Sequence, residues 1–336
     1  MSRSNRTNFF SKCQRVLSRK RKPFIEKYHL YTGQKANWLQ VIVRLETSIL
    51  PAIFPWIIFY GIYGLLIKLS QNLGLPVAFP DNSSFSTSAI LSFNIGLTLL
   101  LVFRTNTAHE RFWEGRRLWG SLVNTVRNLA RDIWVVVKEQ SPQDQVEKEA
   151  TLRLIVAFAF AMKLHLRAEP VNDELASLMS SSKYLKLLDT NHPPLQIAFW
   201  LTDYLQYQND RHCLNIYQLT ALHKLVDDLV DILGGCERIL KTPLPLIYSI
   251  RLKQLVLIYC LVLPLDIVND VSWWIGPIMA LVSFTLLSIE EIGSEIEQPF
   301  GTDPSDLPLD LICNTILRNV EELIRLAPSS EESRGR

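Results

Sequence analysis

Long stretches of this chain carry no charge, and they come in two pairs. Between Glu46 and Lys68 lie 21 uncharged residues, and between Asp81 and Arg104 lie 22. Far downstream come 12 more, Gln254–Leu265, and then 19, Val271–Ile289. Crossing the hydrocarbon of a bilayer takes about 20 predominantly apolar residues. Three stretches meet that length, and the fourth meets it if it tilts or continues past Asp266. The pattern predicts spans over about 43–69, 86–103, 250–266 and 271–289. Pro51 and Pro55 would bend the first, as spans tolerate when neighbours take up the freed carbonyls. After Phe103 the second stretch meets no breaker, so one helix is expected from Ser86 to about Lys138, with Gly115 and Gly120 its weak points. At 1.5 Å per residue it would reach roughly 75–80 Å and must leave the bilayer.

Between the pairs the chain turns polar. "LRLIVAFAFAMKLHLR" is apolar enough to be buried but too short to span. "LNIYQLTALHKLVDDLVDILGGCERIL" has helical periodicity and is expected to stop or kink at Gly234–Gly235. Asp266, Asn269 and Asp270 are expected to turn the chain between the last two spans, with Trp273 and Trp274 as interfacial anchors. Residues 290–326 read as an acidic segment followed by a helix, and 327–336 as a polar, disordered tail. The reading is an all-α integral membrane protein, with both termini and the polar middle on one side. The competing architecture is a large soluble protein with buried core helices.

Composition agrees with the membrane reading. The chain is 48% hydrophobic and 20% charged, against roughly a quarter charged in soluble proteins. Its formal net charge is only +2, but Arg3, Arg6, Lys12, Arg15, Arg19, Lys20, Arg21 and Lys22 all precede the first acid, Glu26. A basic arm over residues 1–23 favours a cytosolic N-terminus. It would also suit an organellar targeting segment or an anchor on lipid headgroups. Five cysteines without a CxxC imply neither a disulfide framework nor a thiolate metal site. The histidines at 29, 109, 165, 192, 212 and 223 form no ligand motif and read as structural. No phosphate-cradling loop, nucleophile elbow or nucleic-acid module is present, so neither an enzyme nor a nucleic-acid partner is expected.

Four groups of residues could carry function. Ile95, Leu99 and Phe103, spaced by four, line one helical face. They form either an ordinary packing stripe or, around an oligomer axis, apolar rings that gate ions by dewetting. Leu101 is expected on a different, lipid-facing side. Arg104, Glu110 and Arg111 stand where the helix leaves lipid, with Glu114, Arg116 and Arg117 beyond. They are either structural salt-bridge partners or a collar of charge at a pore mouth. Leu244 sits between Pro243 and Pro245, in an interrupted helix or at a constriction. Asp303, Asp306 and Asp310, with Glu297 upstream, offer oxygen ligands of the kind Ca²⁺ takes, although helix capping would use them equally well.

Three stretches, "FRTNTAHERFWEGRRLWG" (103–120), "CERILKTPLPLIY" (236–248) and "EQPFGTDPSDLPLD" (297–310), together resemble the bestrophin family, in particular its bacterial and plant-type branch. The resemblance covers about residues 24–326. It implies a homopentamer with four transmembrane segments per chain and a cytosolic helical region (104–249 and 290–326) around one axial pore. It places the pore neck at Ile95, Leu99 and Phe103 and the cytosolic aperture at Leu244. It matches Asp303 and Asp306 to carboxylates of a Ca²⁺ clasp found in animal members, with no cofactor required. It also implies passive conduction of chloride and other monovalent anions, with a monovalent-cation channel or a helical membrane scaffold as alternatives. The implied partners are further copies of the chain, membrane lipid and permeant small ions. The implied location is a bacterial plasma membrane or a thylakoid membrane.

Overall fold

The computed structural model describes residues 50–77, 84–303 and 305–326. The basic arm, the start of the first predicted span, Pro304 and the 327–336 tail lie outside them. Regular structure among the described residues is helical: α1 (Leu50–Asn72), α2 (Ser84–Val136), α3 (Pro142–Leu166), α4 (Asp173–Ala176), α5 (Ser181–Leu188), α6 (Pro193–Asp210), α7 (Ile216–Lys241), α8 (Leu246–Val271), a 3₁₀ turn (Ser272–Trp274), α9 (Ile275–Ile296) and α10 (Leu309–Leu326). They divide into two compact units, one formed by residues up to Leu101 with Arg251–Ile292, the other by Val102–Ile250 with the residues from Gly293 onward. The 53-residue α2 contributes to both.

The first unit is built from apolar helices that bury little of themselves. Three stretches, Leu50–Asn72, Ser88–Val136 and Leu246–Ile296, are long and apolar enough to cross a membrane. Only 17% of the most apolar window of α1 is buried within the chain, and Phe54, Trp56, Phe59, Ile62 and Leu66 all stand exposed. Each Å² of such surface left in water forgoes about 25 cal/mol, so lipid or further copies of the chain must cover it. What the unit does bury is a seam of Tyr60, Leu97, Leu101, Val256, Cys260 and Met279. Polar groups tie it together where water is scarce: Asn94 Nδ2 donates to the Tyr259 hydroxyl at 2.7 Å, and the Tyr63 hydroxyl donates to the Leu261 carbonyl at 3.1 Å. Two expectations change here. Leu101 is 3% exposed and belongs to this seam, not to a lipid face. Asp266, Asn269 and Asp270 remain helical, and the break falls beyond them, at Val271–Trp274, where Ser272 takes a left-handed φ of +49°.

The second unit is organised around α3. Residues Leu154–Leu164 of α3 are all buried, on every side of the helix, which is the mark of a central helix rather than a surface one. Around it pack α6 and α10, with α7 against α6, and Trp119, Leu122, Leu129 and Ile133 of α2 join the same core. Lys163, deep in α3, is matched by Glu174 at 2.9 Å and Asp310 at 2.8 Å. Burial alone would lower its pKa, but these two carboxylates outweigh that and raise it. The expected break at Gly234–Gly235 does not occur: α7 runs unbroken through both. Gly235 instead admits Leu118 of α2, whose Cδ1 would lie 3.0 Å from any added Cβ. The glycine serves packing, not helix termination.

Candidate functional site

Ile95, Leu99 and Phe103 are 62%, 52% and 54% exposed, while Leu97 and Leu101 on the same helix are 3%. With about 100° of rotation per residue, these sets occupy opposite sides of α2. The stripe is therefore an open apolar face on a helix whose opposite side is packed. Leu91, one step earlier in the same register, is also 61% exposed and extends the stripe by a turn. Sequence reasoning missed it because the neighbouring leucines gave α2 apolar residues on every side.

The charges that follow sort by partner. Arg104 is buried, and its guanidinium lies 4.0 Å from the Glu297 carboxylate. Arg111 reaches across to the C-terminal end of α7, where it donates to the carbonyls of Ile239 (2.6 Å) and Thr242 (2.5 Å), and also to that of Glu297 (3.2 Å). A cation is favoured there, where the last carbonyls of a helix lack partners and the dipole is negative. Glu114 pairs with Arg238 at 2.5 Å. Glu110, Arg116 and Arg117 are exposed, which leaves the open surface of this part of α2 net positive.

Leu244 lies in the non-helical link between α7 and α8 and is half-buried. Its N–H donates to Glu297 Oε1 at 2.9 Å. Glu297 thus gathers Arg104, Arg111 and Leu244 around one residue. The signal for it in the sequence was only its place at the head of "EQPFG", where it read as one more acid.

In the acidic turn, Asp303 and Asp306 are tied to each other. Asp306 Oδ2 accepts the Asp303 N–H at 2.8 Å, and the Asp306 N–H donates back to the Asp303 carbonyl at 3.0 Å. Asp306 is buried, and burial raises the pKa of its carboxyl. Asp310 is taken by Lys163 and Arg167, at 2.8 and 2.9 Å. A Ca²⁺ site needs six to eight oxygens. Here the buried Asp306 caps the turn, while Asp310 is exposed but paired with two cations and Asp303 is exposed. Among the described residues, the Asp306 and Asp310 carboxylates are thus engaged by hydrogen bonds and ion pairs within the chain.

A family model described as bacterial/fungal bestrophin protein matches residues 30–322. The chain belongs to the bestrophin family. Among curated relatives, a voltage-dependent anion channel-forming protein of Nostoc sp. is 53% identical over 298 residues, covering 89% of this chain and 95% of its own. Another of the same description, from Synechocystis sp., is 49% identical over the same shares. Two single-site variants of a bacterial bestrophin homologue from Klebsiella pneumoniae superpose with TM-scores of 0.72 and 0.73. Each is 25% identical, and they cover 81% and 82% of this chain and 99% of their own.

This bestrophin is a multi-pass, all-α integral membrane protein. Its three motif stretches, far apart in sequence, meet in the second unit through Arg111 (103–120), Ile239, Thr242 and Leu244 (236–248) and Glu297 (297–310). Each of these contacts has a backbone atom on one side.

Proposed function

We propose that this bestrophin is the subunit of a homopentameric channel, with four membrane segments per chain, that passes chloride and other monovalent anions passively along a central axis. The observation that carries the reading is the stripe Ile95, Leu99 and Phe103, more than half exposed on a helix whose opposite side is packed. Five such stripes facing an axis make three apolar rings. An apolar ring holds no fixed charge, so it resists wetting and sets passage by the cost of shedding water. The sign of the ion is then chosen by the field beyond the neck, where the exposed Arg116 and Arg117 outnumber Glu110. The description of the Nostoc and Synechocystis relatives as anion channel-forming supports the same choice.

In this reading Leu244 forms the cytosolic aperture, with Arg104, Arg111 and Glu297 as its frame. The Leu246–Ile296 stretch supplies two crossings, divided at the left-handed Ser272. The Asp303–Asp306 turn holds its shape through its own hydrogen bonds, and no Ca²⁺ is required. Either the plasma membrane or a thylakoid membrane would serve as the site of action.

The test is recording of the purified protein in planar bilayers under asymmetric KCl. A reversal potential near the chloride equilibrium value is expected; one near the potassium value, or the absence of current, overturns the reading. Detergent-solubilised mass checks the assembly independently, and a monomer would remove the axis.

A further inference from the structure

Three helices of the second unit bring two imidazoles onto one carboxylate oxygen. His165 belongs to the last turn of α3, His192 is the N-cap of α6, and Glu237 lies in the last turns of α7. The Nε2 atoms of His165 and His192 stand 2.7 and 2.8 Å from Glu237 Oε1, and the ring centroids are 4.4 Å apart. Sequence reading took both histidines as unconnected structural residues, because 27 and 45 positions separate neighbours in the set.

We infer that His165, His192 and Glu237 form a binding site for a divalent transition-metal ion, zinc by the chemistry of the donors. Two imidazole nitrogens and one carboxylate are a donor set that zinc favours, with water as the fourth ligand. The three donor atoms lie within 4.8 Å of one another. Zinc bonds of about 2.0–2.2 Å in a tetrahedron hold ligand atoms about 3.3 Å apart, so each histidine–carboxylate pair has to open by about half an ångström. The side chains are 21%, 33% and 17% exposed, enough for an ion and its water to enter. The Lys241 ammonium, 2.9 Å from the other oxygen of Glu237, orients the carboxylate. Lys241 is itself 66% exposed, so water screens its repulsion of the ion.

The protonation change is simple. An ionised carboxylate only accepts, so in the metal-free state each ring presents N–H at Nε2. On metal binding that proton moves, through solvent, to Nδ1. At His192 this gives up only the long contact from the Leu195 N–H, at 3.4 Å. A bound ion would then staple α3, α6 and α7.

The experiment uses the full-length, chelator-stripped protein in detergent, titrated with Zn²⁺ and with Co²⁺. Binding of about one ion per chain is expected, with visible cobalt absorption of four-coordinate type and a rise in melting temperature as zinc is added. His165→Ala and His192→Ala should each weaken binding by about 100-fold or more, with unchanged elution on size exclusion. His192→Cys should retain the ion and add a thiolate-to-cobalt charge-transfer band, a signature that misfolding cannot imitate. Binding that survives both alanine variants overturns the site, as does no stoichiometric binding to the unaltered chain. Should the alanine variants fail to fold, absence of the charge-transfer band in His192→Cys overturns it.

Discussion

The N–H of Leu244 donates to the Glu297 carboxylate across 2.9 Å. Proline has no N–H, so of residues 243–245 only Leu244 has a backbone donor, and that donor is spent on an acid 53 residues away. The position of the Leu244 side chain is thus fixed by its own amide, while the flanking prolines limit how the backbone can swing.

Glu297→Ala should therefore disturb conduction, whereas Glu297→Gln, which keeps an acceptor for the Leu244 N–H, should stay close to the unaltered channel. Losing the bond costs about 1 kcal/mol, enough to loosen a link without unfolding a unit whose core is elsewhere. Single-channel recording should show altered conductance or ion preference for the alanine variant alone, with both variants eluting as the unaltered protein does. Equal disturbance by both would mean that the charge beside Arg104 matters more than the bond to Leu244.

Replacing Ile95, Leu99 and Phe103 together by Ala should widen and wet the neck and raise open conductance. About 1 kcal/mol off a dewetting barrier is about fivefold in throughput. Leu281, 64% exposed on α9, provides the matched control for loss of exposed apolar surface. Leu101 cannot serve that purpose because it is buried in the seam. Unchanged currents in the triple variant would end the role of the stripe as a gate.

Much of this architecture was legible in the chain because it follows from long patterns. The charge-poor stretches fall on the three long apolar stretches of the described residues, and the absence of a breaker after Phe103 foretold that α2 would run on for many turns. Position-specific features were harder to read. Gly234–Gly235 looked like punctuation, but Gly235 is small because Leu118 needs the space, and a sequence does not reveal which helix will pack there. Leu101 and Leu99 are chemically alike, and only the packed seam tells one from the other. Glu297, and the meeting of His165 with His192, depend on contacts between residues 53 and 27 positions apart, for which no local periodicity exists.

Leu244→Ala should shift ion preference or conductance while leaving assembly intact, because the side chain is only half-buried and the backbone bond to Glu297 survives the change. Relative permeabilities from reversal potentials in mixed-anion solutions measure this directly. Loss of the assembled species on size exclusion would instead make Leu244 a packing residue.

Stability of the second unit should fall in acid through Asp144. Its Oδ2 accepts the N–H groups of Gln140 and Ser141, at 2.8 and 2.9 Å, while Arg211 donates to both carboxylate oxygens, at 2.7 and 3.2 Å. The Arg211 hydrogen bonds dominate burial and hold the carboxyl well below the usual carboxylate range, with the two backbone bonds acting in the same direction. A pKa depressed in the folded state means that the stabilisation is fully present above the unfolded value, about 3.9, and is lost progressively as the pH falls below it. Asp144→Asn removes the charge at every pH and should cost about 2 kcal/mol near neutrality, the scale of hydrogen bonds to a charged group. Thermal melts followed by circular dichroism from about pH 7 to about pH 3 should find the gap between the two proteins narrowing in acid. A gap that stays constant would show that Asp144 acts through the shape of its hydrogen bonds and not through its charge.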